Sequence, residues 1–156
     1  MIIRKAAFTD IDTLIKLRIG YLAEDIGLSS DEEDTIKAQL VNYFTKHIGD
    51  DFIAALAEVE GKAVSTAFLV VTEVPANPHF MTGKTATILN IYTIPEYRRL
   101  GIATRVLRYI IDIARQSDVA FIDLKASVAG KSLYKMLVFS EPELATSHVP
   151  MRLKLT

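Results

Sequence analysis

The sequence of 156 residues contains no cysteine and no tryptophan, and it has only three histidines. The lack of cysteine excludes disulfide bonds, zinc sites built on thiolates and a cysteine nucleophile. The histidines, His47, His79 and His148, do not share the spacing of metal ligands, so we expect no metal. No apolar run is long enough to span a bilayer, and the first residues lack a signal-peptide pattern. We therefore expect a cytoplasmic protein with no membrane partner.

An excess of positive charge is also lacking, because the formal net charge is −1. Proteins that bind duplex nucleic acid usually carry a basic surplus, so we expect no nucleic-acid partner. Half of the residues are apolar and about a quarter are charged, which is typical of a folded globular chain. The length predicts a single domain over residues 1–156. The apolar fraction is high enough to accommodate a homodimer interface.

The hydrophobic periodicity alternates between the strand and the helix repeat along the chain. Strands are predicted at 2–6, 51–59, 63–74, 85–94, 119–126 (a buried strand) and 149–156 (a closing strand). Helices are predicted from a Thr9 cap to near Gly27, from a cap at Ser29 or Ser30, from about Gly101 to Gln116, and at 130–139. The order β-α-α-β-β-β-α-β-α-β predicts an α/β (α+β mixed) fold with a mixed sheet and helices on both faces.

The segment YTIPEYRRLGIATRV, from Tyr92 to Val106, carries the clearest chemistry. A strand ends at Pro95, and a helix opens just after Gly101. The first N–H groups of a helix have no partner inside the helix, and together with the helix dipole they form a site for an anion. Gly101 lets the backbone approach a phosphate closely, and Arg98 and Arg99 add positive charge. The segment therefore predicts a row of backbone N–H groups that face a phosphate.

The stretch RRLGIA, from Arg98 to Ala103, fits the R/Q-x-x-G-x-G/A signature and resembles that of the GNAT superfamily of acyl-CoA-dependent N-acetyltransferases. The likeness extends to NIYTIPEYRRLGIATRVL and to LKASVAGKSLYKMLVF. It also extends to the opening strand and helix, IIRKAAFTDIDTLIKLR, and to the closing strand, PMRLKL. It spans nearly the whole chain and is strongest from Thr85 to Phe139. The resemblance implies the GNAT-like fold, with a mostly antiparallel central sheet.

The resemblance also implies roles for particular residues. The backbone of Ile91, Tyr92 and Thr93 is expected to border the pantetheine arm, at the splayed end of the central strand. The diphosphate of acetyl-CoA, the acyl donor, is expected on the N–H groups of a single segment: Arg98, Arg99, Leu100, Gly101, Ile102, Ala103 and Thr104. Tyr134 occupies the place where many members keep a tyrosine near the thioester sulfur.

The implied reaction is acetyl transfer to a primary amine of a small molecule or a peptide. Tyr134 is the predicted general acid for the departing thiolate; the alternative is a packing residue on a short helix. The general base stays open. Some members place a glutamate on the central strand, where this chain has Asn90, which takes up no proton at neutral pH. A water chain and four side chains are the alternatives: Glu73, His79, Tyr92 and Glu141.

Two features leave other interpretations open. The missing carboxylate on the central strand favours, as an alternative, a non-catalytic acyl-CoA sensor or interaction domain of the same fold. Val138 stands where many members have glycine, and because a β-branched residue adopts a positive φ only at a cost, we expect a different junction there. A dinucleotide-binding enzyme is disfavoured by the lack of a G-x-G-x-x-G motif, and a helix-turn-helix regulator by the alternating strands.

Overall fold

The computed structural model describes residues 1–142 and 149–156. The chain forms two compact units, Met1–Lys125 and Ala126–Thr156. The single-domain organisation over residues 1–156 stays a prediction. No helix in the described part of the chain is long and apolar enough to cross a lipid bilayer.

The first unit holds a five-stranded sheet and three long helices. The strands are β1 (Ile2–Lys5), β2 (Phe52–Val59), β3 (Lys62–Glu73), β4 (Lys84–Thr93) and β5 (Ile122–Leu124), and the helices are α1 (Ile11–Asp25), α2 (Ser30–His47) and α3 (Ile102–Arg115). The strands lie in the order β1-β2-β3-β4-β5. Neighbours are antiparallel except β4 and β5, which are parallel. This confirms the predicted mixed, mostly antiparallel sheet.

One face of the sheet packs against α1 and α2. Phe44 of α2, Phe52 of β2 and Phe68 of β3 form an aromatic cluster with ring centroids 5.0 to 5.6 Å apart. All three side chains are buried. Burying a phenylalanine side chain contributes about 1.5–3 kcal/mol. The cluster therefore fixes α2 on the sheet, and with it the short connection to α1.

The opposite face of the sheet packs against α3. Side chains alternate between faces along a strand, so Ala55 and Ala57 face away from the cluster that contains Leu56. These alanines are fully buried, and their small side chains let α3 lie close to β2 and β3. From α3 the buried side chains are Val106, Leu107, Ile110, Ile111, Ile113 and Ala114, with Ile102 at its start. The tight packing fixes where the N-terminal end of α3 lies beside the end of β4.

The two first helices begin in different ways. At α2 the Ser29 hydroxyl accepts a hydrogen bond from the Glu32 N–H (3.2 Å), so of the two predicted serines Ser29 is the cap. The Glu32 carboxylate also accepts a hydrogen bond from the Ser29 N–H (2.8 Å). The Thr9 cap predicted for α1 is wrong. A 3₁₀ turn at Phe8–Asp10 precedes α1, and Asp10 accepts the Ala7 N–H at 2.7 Å. This bond holds the 3₁₀ turn, and Asp10 makes no side-chain hydrogen bond to the first N–H groups of α1.

The second unit contains the short helix α4 (Lys131–Met136). Its C-terminal end is a Schellman motif, because the Val138 N–H donates to the Lys135 carbonyl (3.1 Å) and the Phe139 N–H to the Tyr134 carbonyl (3.1 Å). The Tyr134 and Phe139 rings contact edge to face, with centroids 6.1 Å apart. Val138 has a φ of +69°. The expected change of geometry at this valine is therefore wrong. The hydrogen bonds and the ring contact hold Val138 in the left-handed conformation, which a glycine would adopt without strain.

We expect the substitution Val138→Gly to stabilise the protein by ~1 kcal/mol. It relieves the strain of a β-branched residue in the left-handed conformation, and the greater backbone entropy that glycine loses on folding offsets only part of this gain. Unfolding in urea measures the change. Val128→Gly is the matched control: both side chains are more than nine-tenths exposed, but Val128 has no positive φ, so glycine should destabilise there. A shift in the same direction for both variants would contradict the strain at Val138.

Two predicted strands near the end of the chain differ from the structure. The strand predicted as buried at 119–126 is shorter, Ile122–Leu124, and its side chains are only partly buried or exposed, because β5 lies at the edge of the sheet. The predicted closing strand at 149–156 is wrong, since these residues form no strand and Met151, Leu153 and Leu155 are exposed. An alternating pattern becomes a strand only where a neighbouring edge supplies hydrogen bonds.

Candidate active site

A β-bulge interrupts β4 near its C-terminal end. Phe68 of β3 lies opposite Leu89, and Thr66 lies opposite Tyr92, so β4 holds one residue more than β3 over this stretch. Asn90 lies in the bulge and has a φ of +52°. Asparagine tolerates this left-handed conformation better than most residues do. The extra residue bends the strand and turns its edge at this point.

Beyond the bulge, β4 has a free edge. Parallel pairing with β5 covers only Ala86–Ile88, and the described residues supply no strand partner on that side for Leu89–Thr93. The predicted pantetheine-bordering residues, Ile91, Tyr92 and Thr93, lie on this segment. An unpaired strand edge offers backbone N–H and C=O groups to an extended ligand.

Side chains of this segment pack in the fold, and two of its carbonyls already accept hydrogen bonds, Tyr92 from Ser65 and Thr93 from Arg98. The Tyr92 ring is buried in the core with α1 and α2. The Ser65 and Thr93 hydroxyls share a hydrogen bond of 2.8 Å, and Ser65 also donates to the Tyr92 carbonyl (2.9 Å). These buried bonds hold β4 against β3 on the side away from the free edge.

The turn between β4 and α3 has an unusual backbone. A 3₁₀ turn at Pro95–Tyr97 follows β4, and the Arg98 N–H donates to the Pro95 carbonyl at 3.2 Å. Arg99 and Gly101 then both have positive φ, +63° and +73°. Alternation of left- and right-handed conformations directs successive N–H groups into one concavity, which is a common anion site in proteins.

The N–H groups of Arg99 through Thr104 have no acceptor among the residues that the structure describes. The first bond of the helix runs from the Arg105 N–H to the Gly101 carbonyl, at 3.2 Å. We call this segment, Arg99–Thr104, the amide row. The prediction placed its start at Arg98, but that N–H is already bonded, so the row begins one residue later. It also contains Leu100, Ile102 and Ala103, and their contact with a diphosphate stays a prediction.

Gly101 faces open space. A Cβ built on it would meet no atom within 4 Å. Its φ of +73° is accessible to glycine at little cost, whereas an L-residue there would be strained. The space in front of the amide row is therefore free of protein atoms at this position.

Arg98 joins the site through its side chain. Its Nε donates to the Thr93 carbonyl (2.8 Å), and its Nη2 donates to Glu24 Oε2 (2.5 Å). Its guanidinium also lies over the Tyr92 ring, 5.7 Å from the centroid. These contacts connect the turn before the amide row to the end of β4 and to the last turn of α1.

Glu24 is a member of the site that the sequence did not reveal. The Tyr92 hydroxyl donates to Glu24 Oε1 at 2.8 Å. Arg98, and after it Tyr92, lowers the pKa of the Glu24 carboxyl, while burial, and after it Glu24, raises the pKa of Tyr92. We call Glu24, Tyr92 and Arg98 the clasp. Gly20 allows this close approach of α1, since a Cβ there would lie 3.1 Å from the Tyr92 hydroxyl.

Removing the clasp carboxylate should loosen the amide row. For Glu24→Ala we expect acetyl-CoA affinity to fall about 3- to 10-fold, since an exposed ion pair and one further hydrogen bond are lost. Isothermal titration calorimetry measures it. Because the pKa of Glu24 is lowered, the contribution of the clasp is present above the ordinary carboxyl pKa and is lost as the pH falls below it.

Glu33→Ala is the control for Glu24→Ala. It removes another exposed ion pair, to Lys37 on α2, and the two glutamate side chains have similar exposed fractions, 37% and 44%. Affinity should stay unchanged in this control. Equal losses in both variants would show that surface charge, and not the clasp, governs the effect.

The side chain of Asn90 makes one hydrogen bond to the residues that the structure describes. It is 5% exposed, and its Oδ1 accepts a hydrogen bond from Arg18 Nη1 at 3.1 Å. Its Nδ2 has no partner among the described residues. Arg18 lies on α1, so this contact joins α1 to the β4 bulge. The sequence pointed to Asn90 only as a missing carboxylate, and to Arg18 only as the one polar residue in the apolar stripe of the first helix.

The four side chains considered as general base lie in different places. Glu73 is at the opposite end of β3, in register with Lys84. The backbone N–H of His79 donates to Asn77 in an exposed loop. Tyr92 is held in the clasp, and its raised pKa makes it a poorer acid. Glu141 forms an ion pair with Lys131 within the second unit. None of these four side chains is therefore both buried and unpaired, which is the environment that shifts the pKa of a general base.

Tyr134, the predicted general acid, lies on α4 in the second unit and is partly buried. A Cβ at Gly130 would lie 3.1 Å from its ring, so the ring packs closely over the start of α4. Among the described residues, no group of three or more histidine, aspartate or glutamate side chains is gathered in a way that could hold a metal ion.

Several solved structures are similar to this one over nearly their whole length. A predicted acetyltransferase from Clostridium acetobutylicum, solved with acetyl-CoA, is 26% identical with a TM-score of 0.82, covering 97% of this chain and 95% of the other. A GCN5-related N-acetyltransferase from Ralstonia eutropha is 20% identical with a TM-score of 0.77, covering 97% of both chains.

A third similar structure is the glucosamine-6-phosphate N-acetyltransferase from Arabidopsis thaliana. It is 21% identical, with a TM-score of 0.65 and coverage of 95% of this chain and 97% of the other. No curated protein sequence matches the chain. The sequence model of the acetyltransferase (GNAT) family matches residues 20–137, which include the β4 bulge, the amide row and α4. With most of its length matched, this chain belongs to the acetyltransferase (GNAT) family.

Proposed function

We propose that the protein transfers the acetyl group of acetyl-CoA to a primary amine of a small molecule or a peptide. The amide row carries this proposal. Backbone N–H groups that lack an acceptor at the start of a helix suit the diphosphate of coenzyme A. Family membership and the similar structure solved with acetyl-CoA support the same donor.

In this proposal the donor lies along two features of the first unit. The diphosphate takes hydrogen bonds from the N–H groups of Arg99 through Thr104, and the guanidinium of Arg98 holds the turn through the clasp. The pantetheine arm pairs with the free edge of β4 at Ile91, Tyr92 and Thr93, as an added strand would. Both interactions use backbone atoms, so they depend on conformation more than on side-chain identity.

The chemistry requires two proton movements. The amine nitrogen must lose a proton before it attacks the thioester carbon, and the C–S bond then breaks to release the thiolate. The conjugate thiol has an ordinary pKa of about 8.5, and the sulfur leaves more readily if an acid protonates it. A phenol of pKa about 10 can donate this proton. We assign this proton to Tyr134. The proton of the amine leaves through a group that we do not assign.

A second candidate function is a non-catalytic acyl-CoA sensor of the same fold. The observation in its favour is that Asn90 lies in the β4 bulge and carries no ionisable group. In that case the amide row would bind the donor, and no amine would be acetylated.

One experiment separates the two functions. Acetyl-CoA is titrated into the protein by calorimetry, and release of free thiol is then followed with a panel of primary amines, including amino acids, amino sugars, polyamines and peptides. Saturable binding with amine-dependent thiol release supports the transferase. Saturable binding without release from any amine supports the sensor. An absence of binding overturns both.

A further inference from the structure

We propose that the amine acceptor carries an anionic oxygen group, a carboxylate or a phosphate, and that Arg18 and Asn90 bind this group. The inference rests on the proposed transfer reaction and deepens it, because it names the chemical class of the acceptor. It starts from two donor groups at the β4 bulge that the protein itself does not satisfy.

Arg18 is a half-buried cation without a counter-ion. Toward the described residues its guanidinium uses one of its five N–H groups, through Nη1, on the neutral amide oxygen of Asn90. None of the ion pairs among the described residues includes it, and its guanidinium lies over the Tyr21 ring, 5.6 Å from the centroid. Asp25 attracts it only at longer range, and burial lowers the pKa of Arg18. A cation that has lost part of its hydration without gaining a carboxylate is stabilised when an anion binds.

Asn90 supplies the second unsatisfied donor. The side chain is 5% exposed, and its Nδ2 has no acceptor among the described residues. The orientation of the amide is fixed by chemistry, because turning it over would place Nδ2 against a guanidinium N–H. A buried amide without an acceptor is costly, and such exceptions concentrate where a ligand completes the bonding.

The two donors lie together at a functional position. Asn90 is the residue of the bulge where β4 leaves β5, next to the segment that we assign to the pantetheine arm. Arg18 reaches it from α1, across a separation of 72 residues in the sequence. A planar guanidinium forms paired hydrogen bonds with carboxylate and phosphate oxygens, so both groups fit the same donors.

The test uses matched amines that differ in one acidic group: amino acids beside their amides, and amino alcohols beside their phosphate esters. We expect kcat/KM to favour the anionic member of at least one kind of pair by about 10- to 100-fold. A preference for amino acids over their amides identifies the bound group as a carboxylate. A preference for the phosphate esters over the amino alcohols identifies it as a phosphate. Equal rates within every pair would overturn the inference and leave the transferase assignment intact.

Two variants connect the preference to these residues. In Arg18→Met the preference should disappear through a rise in KM for anionic amines, while the affinity for acetyl-CoA persists. Asn90→Asp places a carboxylate beside Arg18 and should abolish the preference without removing the cation. Arg108→Met, an exposed arginine of α3, is the control and should keep the preference. A preference retained in both Arg18→Met and Asn90→Asp would overturn the assignment.

Direct binding distinguishes failure of this inference from failure of the proposed function. The protein saturated with coenzyme A is titrated with the same amino acids and amino alcohol phosphates by calorimetry. If an anionic amine binds and the Arg18→Met variant loses this binding, the anion site is supported, whether or not any amine is acetylated. A lack of acetylation would contradict the proposed transferase and not the anion site. No binding of any anionic amine, in a protein that acetylates neutral amines, overturns the inference.

Discussion

The variant Gly101→Glu should bind acetyl-CoA at least about 100-fold more weakly than the unmodified protein. The substitution places a side chain in the open space before the amide row and adds a negative charge beside the expected diphosphate. It also strains a backbone with a φ of +73°. Loss of several charge-assisted hydrogen bonds, each worth about 1.5–3 kcal/mol, is enough for this effect. Calorimetry with acetyl-CoA measures it.

Gly49→Glu is the matched control for Gly101→Glu. Gly49 has a φ of +84°, and its Cβ would also meet no atom within 4 Å. It lies between α2 and β2, at the opposite end of the sheet from the β4–α3 turn. The control introduces the same charge and a similar backbone strain, so it should lower stability and leave affinity unchanged. Equal weakening in both variants would mean that strain or net charge, and not the amide row, explains the loss.

The variant Tyr134→Phe should lower kcat by about 100-fold or more, which is the usual contribution of a positioned acid. Its affinity for acetyl-CoA should change little, because the phenol is assigned to the departing thiolate and not to binding. The ring that packs against Phe139 is retained, so the fold of α4 should persist. Steady-state thiol release and calorimetry, performed on the same preparation, separate the two effects.

Tyr43→Phe serves as the control for Tyr134→Phe. Tyr43 is a partly buried tyrosine of α2 that packs against Phe44 and Phe52, and it has no role in the proposed chemistry. Its variant should keep full turnover. If Tyr134→Phe also keeps full turnover, the tyrosine is a packing residue and the thiolate departs without its help.

Features set by nearby residues could be predicted from the sequence. The start of α3 after Gly101 and the serine cap of α2 depend on residues a few positions apart. The sheet class followed from the alternation of strand and helix periods. The unpaired N–H groups at the start of α3 lie within one residue of the predicted segment, because helix N-termini have local sequence signals. Diphosphate binding by these groups stays a prediction.

The side-chain contacts of the site could not be predicted in this way. The clasp joins residues separated by 68 and 74 positions, and no periodicity indicates that Glu24 meets Arg98 and Tyr92. Arg18 and Asn90 meet only because α1 packs over the β4 bulge. At Val138 the preference of a β-branched residue for negative φ led to a wrong prediction. The Schellman hydrogen bonds and the Tyr134–Phe139 contact together outweigh that preference.

The central claim is that the diphosphate of the donor binds to the N–H groups of Arg99 through Thr104. Amide ¹H–¹⁵N chemical shifts of the protein, followed while coenzyme A is added, test it most directly. We predict that the largest saturable changes fall on these residues and move downfield as the hydrogen bonds form. Saturable binding that leaves their shifts unchanged, with the large changes elsewhere in the chain, would contradict the account.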